Sequence, residues 1–202
     1  MKRLFIVTTL LTTLTVANNE ILTKACKENN ATACYELALP KVTGENAKIQ
    51  DVMDEGTLDM RKACVYGESR ACDKLGDIYF KNKSYGMAIR YLEGACQHKV
   101  SEACQALGTI YRDAHDVEFD DVKSREYYEK ACALGSGDSC YNVALIYRGG
   151  FGVKKTRSKE KEFYKKACDQ NLTAGCERFT ELDNEDRGIE TGFFAKIKAF
   201  FK

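Results

Sequence analysis

Tryptophan is absent, proline occurs once, at Pro40, and histidine twice, at His98 and His115. With one proline in 202 residues the commonest helix breaker is nearly missing, which suits a helical domain or a helical repeat array. Two separated histidines leave no histidine-rich zinc centre on which to build a hydrolase. Charge of one sign is not in excess either: 31 basic residues face 30 acidic ones, so there is no electrostatic case for nucleic acid. Long apolar runs are also lacking, since the run from Leu4 to Ala17 has 14 residues where about 20 are needed to span a bilayer. That run follows Lys2 and Arg3 and ends in Thr15-Val16-Ala17, the small residues that a signal peptidase requires. Residues 1–17 are therefore read as a cleaved signal peptide. Its removal leaves 29 basic residues against 30 acidic ones and a chain with no transmembrane segment.

What the sequence has is cysteine. Ten cysteines stand at Cys26, Cys34, Cys64, Cys72, Cys96, Cys104, Cys132, Cys140, Cys168 and Cys176, always in pairs eight residues apart. In an exported chain an even count implies an oxidising compartment and disulfides. An alanine precedes each first cysteine, and successive first cysteines are 38, 32, 36 and 36 residues apart, a period that fits a helix pair in a solenoid. Eight residues of continuous helix would hold two Cα atoms about 12 Å apart, whereas a disulfide needs about 4.4 to 6.8 Å. The chain must turn between them. Gly67, Gly135 and Gly137, with Ser69, Ser101, Asp138 and Ser139 nearby, supply turn and capping chemistry. The pairs, taken in chain order, are expected to staple the end of one helix to the start of the next.

After the second cysteine the pattern Leu75-Gly76-x-Ile78-Tyr79 recurs as Leu107-Gly108-x-Ile110-Tyr111 and Val143-Ala144-x-Ile146-Tyr147. Cys72, Leu75, Gly76 and Tyr79 form one stripe of a helix, and the small residue admits a neighbouring helix closely. A second amphipathic helix ends at each Ala-Cys, carrying Ala88, Tyr91, Leu92 and Ala95, then Tyr127, Tyr128 and Ala131, then Phe163, Tyr164 and Ala167. The segments between the two helices vary in length and account for the uneven period. The aromatic stripes are read as inter-helix core.

Leu75-Gly76-x2-Tyr79 followed by Ala88-x3-Leu92-x2-Ala95 resembles the tetratricopeptide pattern, and Tyr147-Arg148-Gly149-Gly150-Phe151-Gly152-Val153 its SEL-like variant. With a C-x7-C in every unit, residues 24 to 181 resemble the Helicobacter cysteine-rich protein family of exported SEL-like solenoids. The expected fold is all-α: a right-handed superhelical solenoid of about five antiparallel helix pairs. Residues 18–62 would form an N-terminal capping repeat that Pro40 interrupts after Leu39, residues 63–166 three SEL-like repeats, and residues 167–202 the C-terminal capping helices. Phe193, Phe194, Ile197, Phe200 and Phe201 would lie on one face of the last of these helices.

The resemblance implies two functions. One is penicillin binding with weak β-lactamase activity. Serine enzymes of that kind need S-x-x-K with S-D-N and K-T-G elements; only Ser158-Lys159-Glu160-Lys161 matches the first, so Ser158 and Lys161 are the catalytic candidates, and Lys155-Thr156-Arg157 is no K-T-G. The other is binding of a protein or peptide in a concave groove, by a monomer that needs no cofactor or metal. Helix positions flanking the core stripe give the groove candidates Arg70, Asp73, Asp77 and Phe80, then Glu102, Gln105, Thr109 and Arg112, then Asp138, Tyr141, Leu145 and Arg148. Arginine and tyrosine there suit peptides or carboxylate-bearing ligands. Asn30 and Asn171 begin N-x-T acceptors with an acid two residues before, inside the C-x7-C loops, a pattern that resembles a bacterial glycosylation acceptor. The protein is expected in the periplasm or outside the cell.

Overall fold

Every Cys-x7-Cys segment folds alike, as a helix end, a left-handed turn and a helix start. The computed structural model describes residues 17–42, 55–114 and 116–189; residues 1–16 of the expected signal peptide, and the aromatic tail from Phe193, lie outside these. In each segment the third residue after the first cysteine has positive φ: Asn29 at 66°, Gly67 at 95°, Lys99 at 64°, Gly135 at 100° and Asn171 at 65°. The following amide donates back to the alanine before the cysteine, Asn30 to Ala25 at 3.0 Å, Glu68 to Ala63 at 2.9 Å, Ser136 to Ala131 at 3.0 Å and Leu172 to Ala167 at 3.0 Å. This closure is a Schellman cap, and it explains the invariable alanine spacing: the chain reverses within one turn. The Cα atoms of Cys26 and Cys34 come to 4.6 Å, Cys64 and Cys72 to 4.7 Å, Cys132 and Cys140 to 4.7 Å, and Cys168 and Cys176 to 4.4 Å, each pair disulfide-bonded. Cys96 and Cys104 are disulfide-bonded too, and no described cysteine is free.

Capping falls on residues other than the expected serines. Glu68 accepts from the Arg70 amide at 3.3 Å, Ser136 from Ser139 at 3.2 Å, and Asn30 from Ala33 at 3.0 Å. Ser69, Ser101, Asp138 and Ser139 already lie inside their helices, because the left-handed turn uses so few residues that the next helix begins at once. Asn30 and Asn171 take different places in their loops: Asn30 caps a helix, while Asn171 is itself the left-handed residue.

The chain divides into two compact units between His98 and Lys99. In the first, α1 covers residues 17–27, α2 Ala31–Val42, α3 Glu55–Val65, α4 Ser69–Lys81 and α5 Tyr85–Gln97. Helix α2 packs on α3, α3 on α4, and α4 on α5. Pro40 does not end its helix as expected; α2 continues to Val42, since a proline in a last turn removes one hydrogen bond and leaves the preceding turns intact. Met60, Ala63, Leu75 and Leu92 are fully buried, and Tyr79 stacks on Tyr91 at 5.5 Å. A Cβ on Gly76 would stand 2.4 Å from the Leu92 side chain, so the small residue admits α5 as expected.

In the second unit, α6 covers Ser101–Asp113, α7 Asp121–Ala133, α8 Gly137–Gly149, α9 Arg157–Asp169 and α10 Thr173–Asp186, each packing on the next. Among the described residues of both units every regular element is helical, and no helix is long and apolar enough to cross a membrane. The pairing in α4–α5 repeats in register: Tyr111 stacks on Tyr127 and Tyr147 on Phe163, both at 5.7 Å. A Cβ on Gly108 would meet the Tyr128 ring at 2.8 Å, and the Ser124 hydroxyl donates to the Gly108 carbonyl at 2.8 Å. Tyr128, Val143, Ile146 and Tyr164 form the core.

Helix α10 is tied to α9 by charge. Arg157 reaches Glu185 at 2.8 Å and Asp186 at 3.0 Å, while the Lys161 ammonium lies 2.7 Å from Asp186 and 3.0 Å from Asp183. Lys161 first, then Arg187, holds Asp183 below the usual carboxylate range, and Lys161 with Arg157 does the same to Asp186. Carboxylates whose folded pKa is depressed stabilise fully above their unfolded pKa, about 3.9, and lose that contribution as pH falls through the lower folded value. The thermal midpoint of Asp183→Asn/Asp186→Asn should thus sit below wild type by a constant margin above about pH 5, and the margin should close as the pH falls below the unfolded pKa of about 3.9 and through the lower folded values. A margin that persists in acid would place the effect elsewhere.

Candidate functional site

The flanking stripe of α4 is satisfied within its own unit. Arg70 binds Glu68 at 2.9 Å, lies 3.7 Å from Glu36 and covers the Tyr35 ring at 4.5 Å. Asp77 pairs with Lys81 at 2.8 Å, Phe80 meets Tyr85 edge-on at 5.7 Å, and Asp73 is half-buried.

On α6 the same positions turn inward. Gln105 accepts from the Ser136 hydroxyl at 3.1 Å, and Thr109 and Tyr128 share a hydroxyl–hydroxyl bond at 3.0 Å. The Arg112 guanidinium bonds Asp113 at 3.1 to 3.2 Å, donates to Asn142 at 3.4 Å, and lies 5.4 Å over the Tyr128 ring. Burial opposes its charge, but Asp113 and Tyr128 hold it protonated. Burial pushes the Tyr128 phenol up, against the pull of Thr109 and Arg112. Glu102 and Asp138 are exposed, and Tyr141 is half-buried with its ring 5.1 Å from Tyr164.

Arg112, Leu145 and Arg148 come together at a cleft of about 600 Å³. Helix α6 contributes Arg112 and Asp113, α7 Asp121, and α8 Asn142, Leu145, Ile146 and Arg148; Phe119 and Phe151 enter from the segments that join the helices. Both phenylalanines are more than half exposed, at 60% and 52%, although a side chain of that size is ordinarily buried. Three glycines place Phe151. A Cβ on Gly149 would overlap its ring at 2.1 Å, Gly150 has φ 78°, and Gly152 has φ 59° with no room for a Cβ beside Asp121. The Gly-Gly-Phe-Gly run therefore lays the ring back over the end of α8. Arg148 is exposed and has no ion-pair partner among the described residues. Sequence reasoning passed over Phe119, Phe151 and their acidic neighbours by treating the joining segments as spacers; two aromatic residues in otherwise polar loops were the available signal.

The catalytic candidates are arranged unfavourably for hydrolysis. Ser158 is exposed on the first turn of α9, and Asp186 and Asp183 keep Lys161 protonated, whereas activating a serine requires a neutral amine. Lys159 is likewise engaged, with Glu162 at 2.9 Å. No group of three or more metal-ligating side chains occurs among the described residues.

Thirty-six residues beyond Tyr128 stands Tyr164, fully buried. Among the described residues neither its hydroxyl nor the neighbouring Arg178 Nε makes a hydrogen bond of good geometry, although the two side chains lie close enough to act on each other. Burial pushes the Tyr164 phenol up while Arg178 and Arg148 pull it down. The two tyrosines should therefore respond oppositely: Tyr128→Phe should cost about 1 kcal/mol by losing a made hydrogen bond, and Tyr164→Phe should be neutral or stabilising. Chemical denaturation of both variants decides the point, and equal losses would refute it.

A family model described as Sel1 repeat matches residues 101–136 and 137–172, the α6–α7 and α8–α9 pairs whose residues line the cleft. No curated protein matches the chain. Among solved structures the chain is similar to a protective antigen of uropathogenic Escherichia coli displaying an SLR fold, at TM-score 0.67 and 21% identity over 83% of this chain and 36% of that one. It thus spans about a third of that protein, and the likeness is one of fold. It is also similar to a Sel1 repeat protein from Oxalobacter formigenes, at TM-score 0.55 and 27% identity over 62% of this chain and 97% of that one. Helicobacter pylori cysteine rich protein B matches at TM-score 0.49 and 26% identity, over 66% of this chain and 98% of that one.

Proposed function

From a chain that carries Sel1 repeats, we infer that the protein is a disulfide-stiffened binding module whose second unit takes a peptide segment of a partner protein. The cleft carries this reading: it joins two exposed phenylalanines to an arginine that has no ion-pair partner among the described residues. Exposed aromatic surface beside an unpaired guanidinium is the composition of an interface anchor, since aromatic and arginine side chains dominate binding energy at interface centres. Ten disulfide-bonded cysteines support a non-reducing compartment, hence a periplasmic or secreted protein after removal of the signal peptide near Ala17. Asn30 and Asn171 are both exposed there and open to glycan attachment, which intact mass with Asn30→Gln and Asn171→Gln would measure.

The test is affinity selection of peptides from a random-sequence library on the oxidised chain, followed by titration of the selected peptides. Phe151→Ala and Arg148→Glu should each weaken binding by about tenfold or more. Arg148 is the better reversal, because Arg112 is committed to Asp113 and Asn142 inside the fold. Selected peptides that bind both variants like wild type would remove the cleft from the function.

A further inference from the structure

The two Sel1 repeats make the same polar circuit twice, and only the first is closed. Around Tyr128, Thr109 takes the phenol, Asp113 takes Arg112, and Asn142 accepts from Arg112 as well. Thirty-six residues on, Leu145 replaces the threonine, Gly149 the aspartate and Arg178 the asparagine, while the donors Tyr164 and Arg148 are kept. All three acceptors are gone and a second cation has been added. Among the described residues neither the buried Tyr164 hydroxyl nor the buried Arg178 Nε has an acceptor in good hydrogen-bond geometry; they have only each other, the Arg178 guanidinium standing 5.8 Å over the Tyr164 ring and pulling on its phenol. A buried donor left without an acceptor is costly, so the fold holds these groups ready for an acceptor from outside.

Resting on the peptide-binding reading, we propose that Arg148, Arg178 and the Tyr164 hydroxyl form a subsite for a single carboxylate of the peptide. Glu181 already clasps Arg178 with a carboxylate, so a ligand carboxylate taking its place matches the subsite in charge and in shape. Planar guanidinium forks suit the two oxygens. Arg178 is about a third exposed, and its clasp to Glu181 is a surface pair, which holds weakly; an incoming carboxylate replaces Glu181 and takes the Tyr164 proton as a hydrogen bond. Arg148 lines the cleft and lies near enough to Tyr164 to pull its phenol down, so a free chain-end carboxylate would seat beside an apolar residue lying against Phe151.

The probe is N-acetyl-Ala-Leu-Phe, titrated as free acid and as amide into the oxidised full chain, followed by NMR at the Arg148 and Arg178 Nε–H groups and the Tyr164 ring. The acid should bind about tenfold or more tighter than the amide and shift all three signals. Tyr164→Phe should narrow that preference, and the closed-circuit variant Leu145→Thr/Arg178→Asn should abolish it, with the fold retained in both. Acetyl-Ala-Asp-Phe amide distinguishes the source: shifts restored by it assign the subsite to an acidic side chain, and their absence assigns it to the chain end. Acid and amide binding equally, with shifts confined to the residues around Phe119 and Phe151, would overturn the carboxylate subsite and leave the cleft standing. Signals that no probe moves at any position would overturn both.

Discussion

Reduction of the disulfides should unfold the chain at temperatures where the oxidised form is intact. Each bridge closes a loop of eight residues, and the chain-entropy relation assigns such a loop about 2.5 kcal/mol. With all ten cysteines bonded, the sum approaches the net stability of about 5 to 15 kcal/mol that domains of ordinary size possess. The helices offer less to replace it, because about half of the buried apolar residues among those described are alanines or the bridged cysteines themselves. Circular dichroism melts with and without a phosphine reductant test this directly, and Cys132→Ala/Cys140→Ala isolates one bridge. A midpoint insensitive to reductant would show that packing alone sustains the fold.

A second large effect concerns glycines within helices, where substitution by alanine should change sign from one position to another. Alanine gains up to about 1 kcal/mol of helix propensity wherever its methyl has room. At Gly94 the nearest neighbour to a Cβ is the Cys72 sulfur at 3.7 Å, ordinary contact, so Gly94→Ala should stabilise. At Gly175 a Cβ would lie 2.6 Å from the Ala167 methyl and 2.9 Å from the Cys168 amide nitrogen. Neither can retreat, since Cys168 is bridged to Cys176, the residue after Gly175. Gly175→Ala should therefore lose about 3 kcal/mol, the upper part of the overpacking range. Gly108→Ala falls between, because what its methyl meets at 2.8 Å is the fully buried Tyr128 side chain and not backbone. Urea denaturation of the three variants should rank them Gly94, Gly108, Gly175 in falling stability; a stable Gly175→Ala would mean that the turn yields.

The site was legible only in part. Arg112, Leu145 and Arg148 follow from the helical stripe, and the cleft contains them. Gln105, Thr109 and Tyr141 occupy the same stripe but are turned into hydrogen bonds and ring contacts between helices. A stripe names a direction around one helix; it does not say how closely the next helix approaches. Phe119 and Phe151 were hidden for the opposite reason, since both lie in segments without periodicity, and Phe151 takes its place from left-handed glycines on either side.

The spacing of the cysteines by itself determined that the chain reverses eight residues after every first cysteine, because sulfur–sulfur bond geometry permits no straight helix there. The repeat length by itself determined that the reversals join helix pairs. What only the tertiary structure decided is the inequality of the two Sel1 repeats. In the sequence, Leu145, Gly149 and Arg178 are three unrelated substitutions, up to 33 residues apart. Folding sets Arg178 over the ring that bears one buried hydroxyl, while Leu145 and Gly149 hold the register that supplies acceptors one repeat earlier, and the lack of an acceptor follows from neighbourhood in space, since a hydrogen bond depends on distance.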